Sequence, residues 1–353
     1  MKFLPRVFQI APGLLGAFFL SLTGCDKKDQ AGDWAGQAAP PPAEAPAKSA
    51  PASAPASPAP TPVVATPAQP PVGDVAPVTE GAVRFVAYNV ENWLTMDRYV
   101  DGKSRKGAPK PEKERLAAAK LIAGVKPDIL GVSEIGTEED AKDLQAYLER
   151  AGHPMPHFHL NRGADPTRSL VILSRFPIGK TVVHENLTYR SKGQEYGMQR
   201  GILDATIQTP AGAYRFLGVH LKSKRETDDG DQEDMRLNEA HLLRREIDAI
   251  LGADPKARLV VYGDFNDTRN SPALRTIHGS GKGPTTLAMI ALKDSRGEYW
   301  THYWDFQDTY TRIDYVMLSA ALKKSVEWDS CKIVEGEEVA GASDHRPLLV
   351  ILK

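Results

Sequence analysis

The chain has 353 residues, with 44 Lys and Arg against 45 Asp and Glu and a formal net charge of −1. That balance argues against a protein that clings to nucleic acid through a broad basic surface, because such affinity comes largely from neutralising phosphates. It leaves the cutting of nucleic acid open. With two cysteines, Cys25 and Cys331, no disulfide framework holds the fold.

Lys2 and Arg6 open the chain with positive charge, residues 7–22 are mostly apolar, and the run closes on Leu22-Thr-Gly-Cys25. A basic start, a short apolar run and a small residue before the break describe a secretory signal rather than a spanning helix. The tetrad resembles the lipobox of bacterial lipoproteins. That resemblance implies removal of residues 1–24 and diacylglycerol on the Cys25 thiol. The protein is then expected in the cell envelope, lipid-anchored on the periplasmic or extracellular face of a bacterial membrane. Cys331 is left without a partner in the chain, as a free thiol of a monomer. Residues 25–80 are dominated by Ala, Pro, Ser and Thr and hold about half of the 27 prolines. Such a stretch buries too little surface to offset its ordering entropy, so it is expected as a semi-extended tether.

Residues 81–353 read as one globular domain of short β-rich runs, each closed by polar residues. Val83-Arg-Phe-Val-Ala-Tyr88 alternates and ends on Asn89-Val-Glu-Asn92. A helix is expected over residues 111–125, with Leu116, Ala119 and Ala123 on one face. Ile129-Leu-Gly-Val-Ser133 is a near-continuous apolar strand closing on Glu134. A second helix is expected over 138–150 and a strand over 169–175. Residues 201–208 and 214–219 pair through the turn at Pro210 to Gly212, and the second run ends in His220-Leu-Lys222. A long helix over 234–251 leads into Leu259-Val-Val-Tyr-Gly-Asp-Phe-Asn-Asp267. Further on come Arg312-Ile-Asp314, opening a strand to Leu318, and Ser343-Asp344-His345, running into the strand 348–352. Many strands with few intervening helices indicate packed sheets with helices outside.

In the 259–267 stretch, alternation turns Asp264 and Asn266 to one face with Phe265 opposed. A carboxylate and a carboxamide there suit phosphoryl chemistry: one orients or deprotonates a water, the other donates to a phosphate oxygen. Alone the pair reads equally as a turn. Asn89, Glu134, His220, Asp314, Asp344 and His345 tip the balance, because they too stand at strand starts and ends, and the ends of adjacent strands converge. Hard carboxylate oxygens without thiolates indicate Mg2+, Mn2+ or Ca2+ rather than zinc.

Asn89, Ser133-Glu134, Gly-Val-His220-Leu-Lys, Gly263-Asp-Phe-Asn266, Arg312-Ile-Asp314 and Ser343-Asp-His345 resemble, in order, the motifs of the endonuclease/exonuclease/phosphatase superfamily. This group includes DNase I, the abasic-site endonucleases, sphingomyelinases and inositol polyphosphate 5-phosphatases. The resemblance spans residues 82–353 and implies a four-layer α/β sandwich of the DNase I-like kind, with two facing mixed sheets and outer helices. It implies that Glu134 is the principal metal ligand, with Asn89 beside it and Asp344 near the metal. Asp264 would position or activate the attacking water, Asn266 would donate to the phosphate, and Asp314 would orient His345. His345 would act on the phosphate or as acid/base, and His220 would protonate the leaving oxygen. The division of water activation between Asp264 and His345 stays open at this point.

Lys222, Lys224, Arg225 and Arg200 are candidates to draw in an anionic substrate. His241 reads as a surface residue. The acidic run 226–234 reads as a solvated loop ending in a helix cap. Trp300, His302, Tyr303 and Trp304 read as part core, part pocket wall, and no exposed aromatic hairpin of the membrane-inserting sphingomyelinase kind is evident. The leading expectation is a metal-dependent phosphodiesterase acting on DNA or RNA. A phospholipid, sphingomyelin or inositol-phosphate phosphoesterase comes next. A binding lipoprotein without turnover is the alternative of another class, but it would be expected to have lost one of the site residues.

Overall fold

The computed structural model describes residues 79–100, 102–226 and 230–353. The expected signal peptide, Cys25 and nearly all of the tether lie outside the described residues.

Two six-stranded mixed sheets form the centre. The first runs, in spatial order, Lys332–Ile333, Leu348–Leu352, Val83–Trp93, Ile129–Ile135, Ser169–Ser174 and His157–Asn161. The second runs Ala288–Met289, Asp314–Leu318, Leu259–Asp264, Gly212–His220, Leu203–Thr209 and Ile178–Thr181. In each sheet one central pair is parallel: Val83–Trp93 with Ile129–Ile135, and Gly212–His220 with Leu259–Asp264.

Apolar side chains fill three layers, as alternation along two stacked sheets requires. Phe85, Ile129 and Ile172 meet Phe216, Val260 and Val316 between the sheets. Tyr262 crosses this layer and fits because two facing positions are glycine. A Cβ on Gly131 would come within 2.0 Å of its ring, and one on Gly218 within 2.6 Å of its hydroxyl. Outside the first sheet lie the helices Glu112–Val125 and Glu138–Arg150, and outside the second lie Gln232–Ala253 and Pro272–His278. This is the expected four-layer arrangement.

Local signals account for the element ends. Thr137 and Asp140 form a reciprocal capping box. Asp231 caps Gln232–Ala253 by accepting the Glu233 and Asp234 N–H groups, the role expected of the acidic run. Three details differ from the sequence expectation. Helix Glu112–Val125 buries Ala118, Ala119, Leu121, Ile122 and Val125, a stripe shifted from the expected one, and Leu116 is 50% exposed. Gly201, at φ 66°, turns the chain, so the strand starts at Leu203. The strand Val83–Trp93 runs on past Asn89 through a bulge at which Glu91 and Asn92 both adopt left-handed backbone, φ 48° and 57°.

Candidate active site

Strand register assembles the site. His220 lies opposite Asp264, and Asp264 opposite Asp314, a row across adjacent strands of the second sheet. Gly263 is required here: its φ is 137°, and a Cβ would meet the Val219 carbonyl oxygen at 1.9 Å. Phe265 is fully buried with its ring 5.8 Å from that of Tyr315, so the core pins the turn that presents Asp264 and Asn266. The first sheet contributes Asn89 and, next to its register partner Ser133, Glu134. Asn89 Nδ2 lies 3.3 Å from Glu134 Oε1, 3.1 Å from Asp264 Oδ2 and 3.4 Å from His345 Nε2. A carboxamide has two N–H groups for these three neighbours, so Asn89 is a hub joining both sheets. Glu134 leaves the strand at φ 65°, and its Oε2 accepts the Asn92 N–H at 2.9 Å.

His345 and Asp314 form a tight pair, with Nδ1 2.8 Å from Oδ2. The same Oδ2 accepts the Thr301 hydroxyl at 2.7 Å, and the Thr301 oxygen in turn accepts the Asp314 N–H at 3.1 Å. Ser343 Oγ donates to the Asn89 carbonyl at 2.8 Å and accepts the His345 N–H at 3.0 Å, which fixes the ring from behind. His345 Nε2 is then left facing Asp264 Oδ2 at 3.7 Å.

Charge separates the two histidines. Burial opposes protonation of His345, but the carboxylates of Asp314 and Asp264 outweigh it and hold the ring well above its ordinary value. His220 Nε2 stands 3.5 Å from Asp264 Oδ2 and 4.0 Å from Glu134 Oε1. Burial, and then the positive charges of Arg200 and His345, hold His220 well below its ordinary value. Asp264 is pushed up to about 7, by burial first and by Asp314 second. One imidazolium, one neutral imidazole and one carboxyl poised near neutrality is the pattern by which a site divides acid and base work.

The donor set fits a divalent cation. Glu134 and Asp344 offer carboxylate oxygens, and the structure adds Glu91, which sequence reasoning passed over. Its carboxyl is raised by burial and by the neighbouring charge of Asp344, with a further contribution from Glu134. The buried Lys110, 3.7 Å from Glu91 Oε2, balances part of this acid, and a hard cation would neutralise the remainder. Asp344 lies 3.6 Å from His302 Nε2 and 3.9 Å from His345 Nε2. Among the described residues the tightest clusters of metal-capable groups are His302, Asp344 and His345, and Asp264, Asp314 and His345. Glu134 belongs to neither cluster.

The remaining candidates stand as follows. Asn266 is at the site, with Nδ2 donating to the Leu221 carbonyl at 2.9 Å. Arg200 is buried and ion-paired with Asp165 at 3.4 Å, so it reaches the site as a charge near His220. Lys222 is buried, and its backbone N–H donates to Glu239 at 2.7 Å. Lys224 pairs with Asp267 at 3.0 Å, and His241 is exposed. His302 does join the site: its ring centroid is 4.7 Å from that of His345. It stands on a hairpin, His302–Trp304 with Thr309–Thr311, that exposes several aromatic rings. A hairpin of two three-residue strands is too short to bury an aromatic face of its own, and alternation alone does not reveal that.

Two facing mixed sheets with an acidic, histidine-bearing site at their strand ends define the class of metal-dependent phosphoester hydrolases. Residues 102–345 match the model of the endonuclease/exonuclease/phosphatase family. The chain belongs to that family, whose members are divalent-metal-dependent phosphoesterases. None of the curated proteins matches it. Among solved structures it is similar to an endonuclease/exonuclease/phosphatase from Bacteroides vulgatus, at 19% identity over 77% of this chain and 98% of that one, with a TM-score of 0.53. The human Nocturnin catalytic domain with bound sulfate is similar at 16% identity over 77% and 94%, TM-score 0.54. Sphingomyelinase C from Streptomyces griseocarneus is similar at 14% identity over 77% and 99%, TM-score 0.50. At these identities the likenesses speak for the fold.

Proposed function

We propose that the protein is a phosphodiesterase of the cell envelope, nuclease-like in its chemistry and tethered to a bacterial membrane through Cys25. The observation that carries the catalytic reading is the buried row His220, Asp264 and Asp314, closed by His345 at 2.8 Å from Asp314. In this reading His345, held as an imidazolium, offers its Nε2–H to a phosphoryl oxygen as negative charge develops. Asp264, near neutrality at about 7, takes a proton from the attacking water at physiological pH. Its Oδ1 is steadied by the Asn266 N–H at 2.8 Å, and the Asn266 carboxamide, with one N–H held by the Leu221 carbonyl, has its second for the phosphate. His220 is neutral in the resting site, so it must first take up a proton from solvent, favoured by the charge of the bound phosphate, before it can deliver one to the leaving oxygen. A divalent cation held by Glu134, Glu91 and Asp344, with Asn89 beside them, would supply Lewis acidity at the phosphate.

The test is a panel with the full-length protein and Mg2+, Mn2+ or Ca2+: plasmid DNA, RNA, sphingomyelin, inositol phosphates and an aryl phosphodiester. Metal-dependent cleavage of the nucleic acids and the aryl diester, abolished by EDTA and restored by Mg2+ or Mn2+, is the expected result. Turnover confined to sphingomyelin or inositol phosphates transfers the proposal to those substrates. Full turnover after exhaustive chelation removes the metal from the mechanism, and no turnover at all leaves a binding lipoprotein.

A further inference from the structure

The hairpin beside the site has two unlike faces. Its register pairs His302 with Thr311, Tyr303 with Tyr310 and Trp304 with Thr309. Tyr303 and Tyr310 stack on each other at 4.6 Å, and Trp300 packs edgewise on Tyr310 at 4.9 Å, so these rings are engaged with one another although Tyr310 keeps 56% exposure. The outer edge of the strand His302–Trp304 is anchored to the catalytic centre through its backbone. The Tyr303 N–H donates to the Asp344 carbonyl at 2.9 Å, and His302 bridges to His345 in register. Trp304 is two residues along the same face from His302, roughly 7 Å further out on an extended chain. Its indole is 47% exposed and Phe306 is 85% exposed, with ring centroids 6.0 Å apart and planes 33° from parallel.

The opposite flank of the site is basic. In the first sheet, the strand that follows His345 and the strand that follows Arg168 lie on opposite sides of the central parallel pair. Arg168 Nε donates to Asn92 Oδ1 at 2.9 Å and stands 4.0 Å from Glu134 Oε2. Next to Asn92 hangs a second hairpin, Met96–Val100 with Lys103–Ala108, anchored by Arg98 donating to the Leu94 carbonyl at 2.8 Å. It exposes Lys103, Arg105 and Lys106.

We propose that Trp304 and Phe306 form a stacking platform for an unpaired nucleobase next to the scissile phosphate, with the polyanionic strand continuing over Arg168 and the basic hairpin. The proposal rests on the phosphodiesterase reading above and names its substrate class: single-stranded nucleic acid. Aromatic rings take bases through their faces without regard to sequence, while cations track the backbone. The exposed carboxylates Asp305 and Asp308 border Phe306 and repel phosphate, so the hairpin receives a base rather than backbone. The same carboxylates count against insertion into a bilayer, where buried charge is costly.

The experiment compares the full-length wild type with Trp304→Ala/Phe306→Ala and Trp304→Phe, in Mg2+. Substrates are a single-stranded oligonucleotide, the same sequence as a duplex, and methyl 4-nitrophenyl phosphate. Loss of one stacked base is expected to lower kcat/KM on the single strand roughly 5- to 150-fold, mostly through KM. Cleavage of the small diester should be unchanged, and Trp304→Phe should recover most of the loss. The wild type should prefer the single strand to the duplex. Equal losses on oligonucleotide and small diester would make the hairpin merely structural and overturn the proposal, as would no loss on either. A wild type that cleaves the small diester but no oligonucleotide overturns this inference and leaves the phosphodiesterase reading standing. A wild type that cleaves neither overturns both. Cleavage of sphingomyelin in mixed vesicles with phosphatidylcholine that is lost in the double variant, with oligonucleotide rates intact, assigns the hairpin to a lipid surface instead.

Discussion

Asp314→Asn tests the centre of the mechanism with the least change of shape. Asparagine keeps the bulk and still accepts from Thr301, but it removes the charge that sits against His345 Nδ1 at 2.8 Å. At a separation of charge centres near 4 Å, unit charges attract by about 4 kcal/mol at the effective dielectric of a protein. That attraction, with the Asp264 carboxylate adding to it, outweighs the burial that opposes the His345 imidazolium. Without it His345 becomes neutral at lower pH. If the imidazolium stabilises the charged transition state, kcat should fall about 10²–10⁴-fold at neutral pH. The basic limb of the pH–rate profile should also move to lower pH. The assay is kcat and kcat/KM against pH, with an aryl phosphodiester and Mg2+. Stability gives a second readout. His345 is raised in the folded state, so its pairing stabilises fully below the ordinary imidazole value and the benefit is lost as pH rises through the raised value. The gap in melting temperature between wild type and variant should therefore be widest in mild acid and narrow in alkali. A drop in kcat with the basic limb unmoved would refute the charge role of Asp314, and unchanged kcat would refute the pair's role altogether.

Asp264→Asn should abolish most turnover yet stabilise the metal-free protein. The Asp264 carboxyl is raised from 3.8 to about 7, so its penalty in the folded state builds between those pH values and is complete above the higher one. Melts in EDTA should show the variant more stable at pH 8, by on the order of a few kcal/mol, with the gap closing near pH 4. Identical melts at both pH values would show that burial does not strain this carboxyl. Cys331 is half-buried, its thiol donating to the Glu327 carbonyl at 3.3 Å, and burial pushes it up to about 11. It should resist thiol reagents until the protein is denatured, and fast labelling of the native protein would contradict that. Cys25→Ala should leave an unprocessed chain that takes up no palmitate analogue, whereas labelling that survives the substitution would sink the lipoprotein reading.

Much of the architecture is legible in the sequence because it is written in short-range signals. Apolar alternation marks the strands, the acidic run closing at Asp231 marks a helix start, and Gly263 marks the turn that follows its apolar run, whereas the close approach to Val219 that forbids a side chain at Gly263 is visible only in the fold. The polar residues at the strand ends follow from the same reading, since a strand fixes where its last residue points. Tertiary structure alone decides what those residues do to one another. Glu91 joins the site because a bulge turns it off its strand, and Asn89 becomes a hub because the two sheets place Glu134, Asp264 and His345 around it. Arg200 is taken up by Asp165, and His302 reaches His345 from a distant hairpin. His220 and His345 are the same residue type at the ends of like strands, yet one is held neutral and the other charged. That difference comes from burial and from charges brought close through space, and both quantities exist only once the chain has folded.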